Sequence, residues 1–210
     1  MEIRQPYGSW TKGLKAEGRV VSPKNLVTLT YHSTQYYALE IKAGKLLVDC
    51  GWPGTMAEFS VVAKRKGIDL REVKFILATH YHPDHAGLAQ EIKNMGAKLI
   101  VMESQVDFVA PLAALIKKDI PYREIRRDNN LLLKFAESRN FLAGLGLDGE
   151  IIPTPGHSDD HVTLILDDGS AFTGDLPPRF LVTDDQTELK ASWDRIYQHK
   201  ITRLYPSHGN

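Results

Sequence analysis

The segment Val73-Lys74-Phe75-Ile76-Leu77-Ala78-Thr79-His80-Tyr81-His82-Pro83-Asp84-His85-Ala86-Gly87 decides the fold, because it runs an apolar stretch of strand length into four metal-ligating side chains within six positions. In an extended chain residues two apart point the same way, so the imidazoles of His80 and His82 converge. Pro83 fixes φ and suits the first turn of a helix, so the chain reverses there and carries Asp84 and His85 to a second side of the same spot. Leu88, Ile92 and Met95 then fall at helical spacing and predict one helix over residues 83–95, stopped by Gly96 before the strand-like Leu99-Ile100-Val101. The motif thus sits at a strand-to-helix junction, a context that a polar loop with incidental histidines would lack.

Upstream, residues 26–31, 36–41 and 45–49 read as three short strands with a turn at Ala43-Gly44, an antiparallel meander. Thr55 followed by Glu58 has the form of a capping box for a helix over residues 56–66, closed by Gly67. Downstream, residues 150–153, 163–166 and 170–173 read as strands with a hairpin turn at Asp167-Asp168-Gly169. A helix over 186–200 and a short strand over 203–206 complete the pattern. Residues 103–149 depart from it and read as a helical insertion, with helices over 104–118 and 128–142 broken at Ile120-Pro121. Their apolar faces predict packing on the core, or alternatively a cap over the cleft or a homodimer contact.

The 210 residues, 42% hydrophobic, are enough for one sizeable core and favour a single domain over 1–210. Lys plus Arg equals Asp plus Glu at 26 each, so no global field draws the chain to nucleic acid or an acidic membrane. The start, Met1-Glu2-Ile3-Arg4-Gln5-Pro6, lacks an apolar leader segment, and no window has the roughly 18 apolar residues of a membrane span. The expectation is a cytoplasmic protein, monomer or homodimer, acting on a small molecule. The lone Cys50 rules out an internal disulfide and a Cys-based zinc knuckle, leaving His and carboxylate as metal ligands.

Three further segments end strands with such residues: Thr154-Pro155-Gly156-His157, Thr173-Gly174-Asp175 and Pro206-Ser207-His208-Gly209. Each alone is an ordinary turn; together they place five of the eight histidines in one pattern, with Asp84 and Asp175 as carboxylates for a second ion. His32 and His199 stand outside it, His199 as a solvated surface residue. His161 is read as a loop histidine, with a supporting place behind the ligands as the alternative.

This set resembles the metallo-β-lactamase superfamily of hydrolases, whose H-x-H-x-D-H signature appears as His80 to His85, followed by its later motifs at His157, Asp175 and His208. Leu46-Leu47-Val48-Asp49-Cys50-Gly51 looks like the family's first motif, with Asp49 supporting the ligands from behind. The match runs from about Leu26 to His208. The resemblance implies a mixed α/β fold, a four-layered αβ/βα sandwich with the site at one edge between two sheets. It also implies that His80, His82 and His157 bind one metal and that Asp84, His85 and His208 bind another, with Asp175 bridging. Two zinc ions are implied, with iron or manganese as alternatives, and a hydroxide between them would attack a carbonyl or phosphoryl centre. Asp84 would also orient that nucleophile or move its proton.

The substrate does not follow from the fold. The family's true β-lactamases carry Cys or Ser where Asp175 stands, and many are exported. Glyoxalase II and RNase Z keep the Asp, but the chain ends soon after His208, where the former has a substrate-binding region, and it has no evident basic arm of the latter. Lactonases place a Tyr shortly after the bridging Asp, where this chain has Leu176-Pro177-Pro178-Arg179-Phe180. The expectation is hydrolysis of an ester, thioester or lactone. Alternatives are phosphodiester or nucleic-acid cleavage at the same site, weak promiscuous β-lactamase activity, a mononuclear iron oxygenase, or a metal-binding module without catalysis. Tyr31, His32 and Tyr36 border the hairpin that flanks the cleft in relatives, with packing the simpler role for each.

Overall fold

The computed structural model describes residues 26–209, so the opening Met1–Pro6 segment lies outside the described residues. β1 (Leu26–Tyr31), β2 (Thr34–Ile41) and β3 (Gly44–Val48) form the antiparallel meander, and α1 (Met56–Arg65) follows. The strand-helix-strand unit is β4 (Val73–Leu77), α2 (Pro83–Ala86), α3 (Ala89–Asn94) and β5 (Lys98–Met102). Next come α4 (Leu112–Leu115), β6 (Asn130–Leu133), α5 (Phe135–Leu145), β7 (Gly149–Pro153), β8 (Val162–Leu166), β9 (Ser170–Gly174), α6 (Thr187–Tyr197) and β10 (Arg203–Pro206). One sheet has the order β1-β2-β3-β4-β5-β6 and turns from antiparallel to parallel at β3; the other has the order β10-β9-β8-β7, with β10 parallel to β9.

The strand period of two builds the layers. In β3, Leu47 enters a core with α1 and α3, where Phe59, Leu88 and Ile92 are buried, while Leu46 and Val48 face the opposite way. That second core lies between the sheets and holds Leu77, Ile100, Leu164 and Phe172. In β8, Ile165 points away from Leu164 into a third core under α6, against Trp193 and Ile196. Three apolar seams separate four layers, helix, sheet, sheet and helix. Among the described residues no helix is long and apolar enough to cross a membrane.

Residues 103–149 are helical only in part and also add a strand to the first sheet; α5 covers the second half of the second expected helix. The expected helix over 104–118 shrinks to a 3-10 turn at Glu103–Gln105 and the single turn α4. The expected helix over 128–142 begins as a strand: β6 pairs parallel with β5 and becomes the sixth strand of the first sheet. Three consecutive leucines fit either period, and the sheet resolves them, with Leu133 buried and Leu132 66% exposed. Val109 and Leu112 pack into the first core. Two smaller expectations also change. The helix after Pro83 is broken at Gly87-Leu88, and the capping box does not form, since the Thr55 hydroxyl donates to the Trp52 carbonyl (2.6 Å) and Glu58 lies 3.4 Å from His32.

Candidate metal centre

Every candidate ligand stands where a strand gives out at one edge of the two sheets. The chain stays extended beyond β4, with His82 at φ −94° and ψ 158°, so His80 and His82 share a side while Tyr81 turns into the first core. Pro83 opens α2 and swings Asp84 and His85 round. His157 lies on the β7–β8 connection, Asp175 directly after β9, and His208 after β10. At Gly174 the backbone turns at φ +51°, and a Cβ there would lie 2.6 Å from both His161 Nε2 and Thr79 Oγ1, so the approach of β9 to the His80 strand requires glycine.

All seven side chains come together, in two groups. His82 Nδ1 lies 2.9 Å from His80 Nε2 and 3.2 Å from His157 Nε2, so three imidazole nitrogens face one point. In the second group, Asp84 Oδ2 lies 3.0 Å from His208 Nε2 and 3.3 Å from His85 Nε2. Asp175 stands between the groups. Its Oδ1 is 3.2 Å from His85 Nε2 and 3.3 Å from His208 Nε2, and its Oδ2 is 3.9 Å from His80 Nε2 and 3.6 Å from His157 Nε2.

The outer nitrogens are anchored. His85 Nδ1 lies 2.9 Å from Asp49 Oδ2, and His208 Nδ1 lies 2.8 Å from the Ser33 carbonyl. Each contact holds a proton on Nδ1 and turns Nε2 inward, so Nε2 is the nitrogen that would meet a metal once any proton on it is lost. Thr79 Oγ1 lies 3.1 Å from His80 Nδ1, and the Thr34 hydroxyl donates to Asp84 Oδ2 at 3.1 Å. Asp49 itself accepts from the Thr79 amide (2.7 Å), the Thr79 hydroxyl (3.0 Å) and the Ser207 hydroxyl (3.0 Å).

The charges fit a cation. Burial and the surrounding imidazoles push His80 well below its ordinary value, so it is a neutral donor. Burial also works against a charge on His85, but Asp49, Asp175 and Asp84 outweigh it and hold that imidazole well above its ordinary value. Burial would raise Asp84 and Asp175; interaction with His85 and the charge of His208 outweigh it and hold both below the usual carboxylate range. In the metal-free protein a proton on His85 stands among carboxylates, where a metal would supply positive charge. His85 Nε2 and Asp175 Oδ1, buried and 3.2 Å apart, nonetheless form no well-aligned hydrogen bond with each other or with any other described residue. Orphaned donors of this kind, imidazole and carboxylate converging, suit zinc and related ions.

Several neighbours were silent in the sequence. Thr34 lies in no recognisable motif, and Thr79 and Ser207 carried only their places beside His80 and His208. His161 lies on the β7–β8 connection, as expected, but is buried behind the ligands, with Nδ1 2.9 Å from Thr154 Oγ1 and its ring centroid 5.2 Å from that of His80. Burial and neighbouring charges, His157 first, hold it down at about 3. Tyr31 and Tyr36 are core residues that meet Phe59 edge-on, whereas His32 is exposed at the hairpin turn. His199 is partly exposed, 3.9 Å from Glu150.

The metallo-beta-lactamase superfamily model matches residues 29–208, and the chain belongs to that family, whose members are mostly hydrolases. Among curated relatives, a beta-lactamase-like protein 2 homolog of Drosophila melanogaster is 30% identical over 192 residues, covering 89% of this chain and 62% of its own length. The corresponding protein of Caenorhabditis elegans is 28% identical over 186 residues, covering 86% and 57%. The chain therefore spans less than two thirds of these relatives. Among solved structures, a metallo-beta-lactamase family protein of Thermus thermophilus superposes with a TM-score of 0.66 at 22% identity, over 88% of this chain and 73% of that one. A subclass B3 metallo-beta-lactamase of Bradyrhizobium japonicum gives 0.63 at 19% identity, over 91% and 76%. At such identities the likeness is one of fold.

Proposed function

We propose that this chain is a dinuclear metal-dependent hydrolase of small carboxylic esters, thioesters or lactones. The observation that carries the reading is Asp175, whose two oxygens face the two ligand groups, at 3.6–3.9 Å on one side and 3.2–3.3 Å on the other. His80, His82 and His157 would hold one ion, and Asp84, His85 and His208 the other, with Asp175 shared. Zinc is the proposed occupant, and iron and manganese are accepted by the same donors. When bound, the metals supply Lewis acidity toward the carbonyl oxygen and lower the pKa of water to near neutrality.

The chain's own residues do the rest. Asp84 stays ionised and is fixed through Oδ2 by Thr34 and His208, so it orients the attacking water and hands its proton toward the leaving alkoxide or thiolate. Asp49, Thr79 and Ser207 hold His85 and the His80 strand in register, so little reorganisation remains for the reaction. The balanced charge, 26 basic against 26 acidic residues, favours a small substrate over nucleic acid or membrane.

Purified protein assayed on chromogenic esters, thioesters, lactones, phosphodiesters and nitrocefin is expected to turn over an acyl compound with about two zinc ions per chain. His82→Ala and Asp84→Ala are expected to abolish that turnover. Phosphodiester cleavage exceeding acyl hydrolysis would replace the substrate class. A single iron per chain, or activity retained by a metal-free variant, would reject the reading.

A further inference from the structure

The three imidazoles of the first group come from two different sheets: His80 and His82 follow β4, whereas His157 follows β7. A buried polar clasp joins their loops. Gln105, fully buried just after β5, donates from Nε2 to the carbonyls of Ala78 (3.0 Å), Thr79 (3.4 Å) and Asp160 (3.2 Å), and its Oε1 accepts from the Met102 amide at 3.2 Å. Asp160, 2% exposed, accepts from the amide of Tyr81 at 2.7 Å through Oδ2. Tyr81 is the residue between His80 and His82, and Asp160 lies three residues after His157. The Val162 amide completes the clasp by donating to the Thr79 carbonyl at 2.8 Å.

We propose that Gln105 and Asp160 are positioning residues which set His157 against His80 and His82 and thereby govern metal affinity at the three-imidazole position in particular. Neither touches the candidate ligands with its side chain; both act through the backbone that carries them. The other group is anchored elsewhere, Asp84 by Thr34, His85 by Asp49 and His208 by the Ser33 carbonyl. An amide that satisfies backbone groups from three segments is costly to lose, since each buried partner is then left unpaired. Loss of the clasp therefore frees one ligand loop from the other, and a misplaced third ligand weakens one position more than its neighbour. This inference rests on the dinuclear reading.

The test titrates metal-free protein with cobalt(II), whose spectrum separates a site built on three imidazoles from one with two imidazoles and carboxylates, and with zinc against a chromophoric chelator. Gln105→Met removes the amide at constant length; Gln105→Glu keeps the acceptor for Met102 but sets a carboxylate against three carbonyls. Asp160→Ala removes the acceptor for Tyr81, and Asp160→Asn restores an oxygen there. In Gln105→Met and Asp160→Ala the three-imidazole step is expected to weaken about tenfold or more, with the second step within about threefold of the parent and Asp160→Asn recovering most of the loss. If Gln105→Met does not fold, Gln105→Glu and the Asp160 pair decide by the same readout. Equal weakening of both steps, as a merely structural role would give, or weakening of neither, overturns the proposal. A parent protein binding fewer than two ions overturns the dinuclear reading and this inference with it, whereas two ions without selective loss overturn the inference alone.

Discussion

The Asp49 carboxylate lies 2.9 Å from Nδ1 of His85, on a backbone turned to φ +60°. That left-handed conformation is strained for a residue with a Cβ, by on the order of 1 kcal/mol, and it persists because the carboxylate collects hydrogen bonds from Thr79, Ser207 and His85. A single side chain thereby ties the end of β3 to the end of β4, to α2 and to the segment after β10.

Asp49→Ala leaves those donors buried without an acceptor. Unfolding of the metal-free protein in urea is expected to show a loss on the order of 3 kcal/mol, and zinc affinity to fall about 10- to 100-fold because His85 loses its anchor. Unchanged affinity in a folded variant would show that His85 needs no such partner.

Gly174→Ala places a methyl group 2.6 Å from His161 Nε2 and Thr79 Oγ1 at a positive φ. Both neighbours are buried and committed, so the strand end must move. The expected destabilisation is well above about 1 kcal/mol, read from the denaturation midpoint, and Asp175 at the next position should lose its registration between the two ligand groups. A midpoint equal to that of the parent would contradict the packing described.

The charge state of the centre has a sign that can be measured. His85 is held above its unfolded value, so its contribution to the stability of the metal-free protein is full below about pH 6.5 and is lost as pH rises through its folded value. Asp84 and Asp175 are held low, so their contribution is present above about pH 4 and is lost as pH falls. Zinc must displace the His85 proton, while His80 is already neutral. Calorimetric zinc titration at pH 7 in buffers of different ionisation enthalpy should report release of about one proton per chain from this residue, absent in His85→Gln. Equal release by parent and variant would sink this assignment.

Burial, followed by the charge of Asp49, raises the Cys50 thiol well above its ordinary value. Native protein at pH 8 is expected to resist a chromogenic disulfide reagent for as long as it stays folded, and to react with one thiol per chain once urea is added. Rapid labelling of the native protein would show that the segment after β3 opens readily.

Much of this centre is local and therefore legible along the chain. The spacing of His80 and His82 in an extended run, and the reversal at Pro83 that turns Asp84 and His85 away, depend on backbone geometry over a few residues. The apolar runs of β3 and β8 likewise mark strands, but a strand buried on both faces does not show which face meets which layer, so the layering was implied only by the family resemblance. Leu131-Leu132-Leu133 carries no such signal, and only the free edge of β5 made it a strand. The same limit hid Thr34, Ser207, Gln105 and Asp160, which reach partners between 27 and 158 residues away along the chain.

The sequence by itself determined the kinds of ligand and the turn that presents the first four of them, since dihedral preference and side-chain chemistry are properties of neighbouring residues. Only the tertiary structure decided which nitrogen of each imidazole faces inward and that Asp175 stands between two groups. Those depend on two sheets packed face to face with their strand ends at one edge, where a carbonyl, a hydroxyl and a buried carboxylate from other segments fix the rings of His208, His80 and His85 by a contact on the far side.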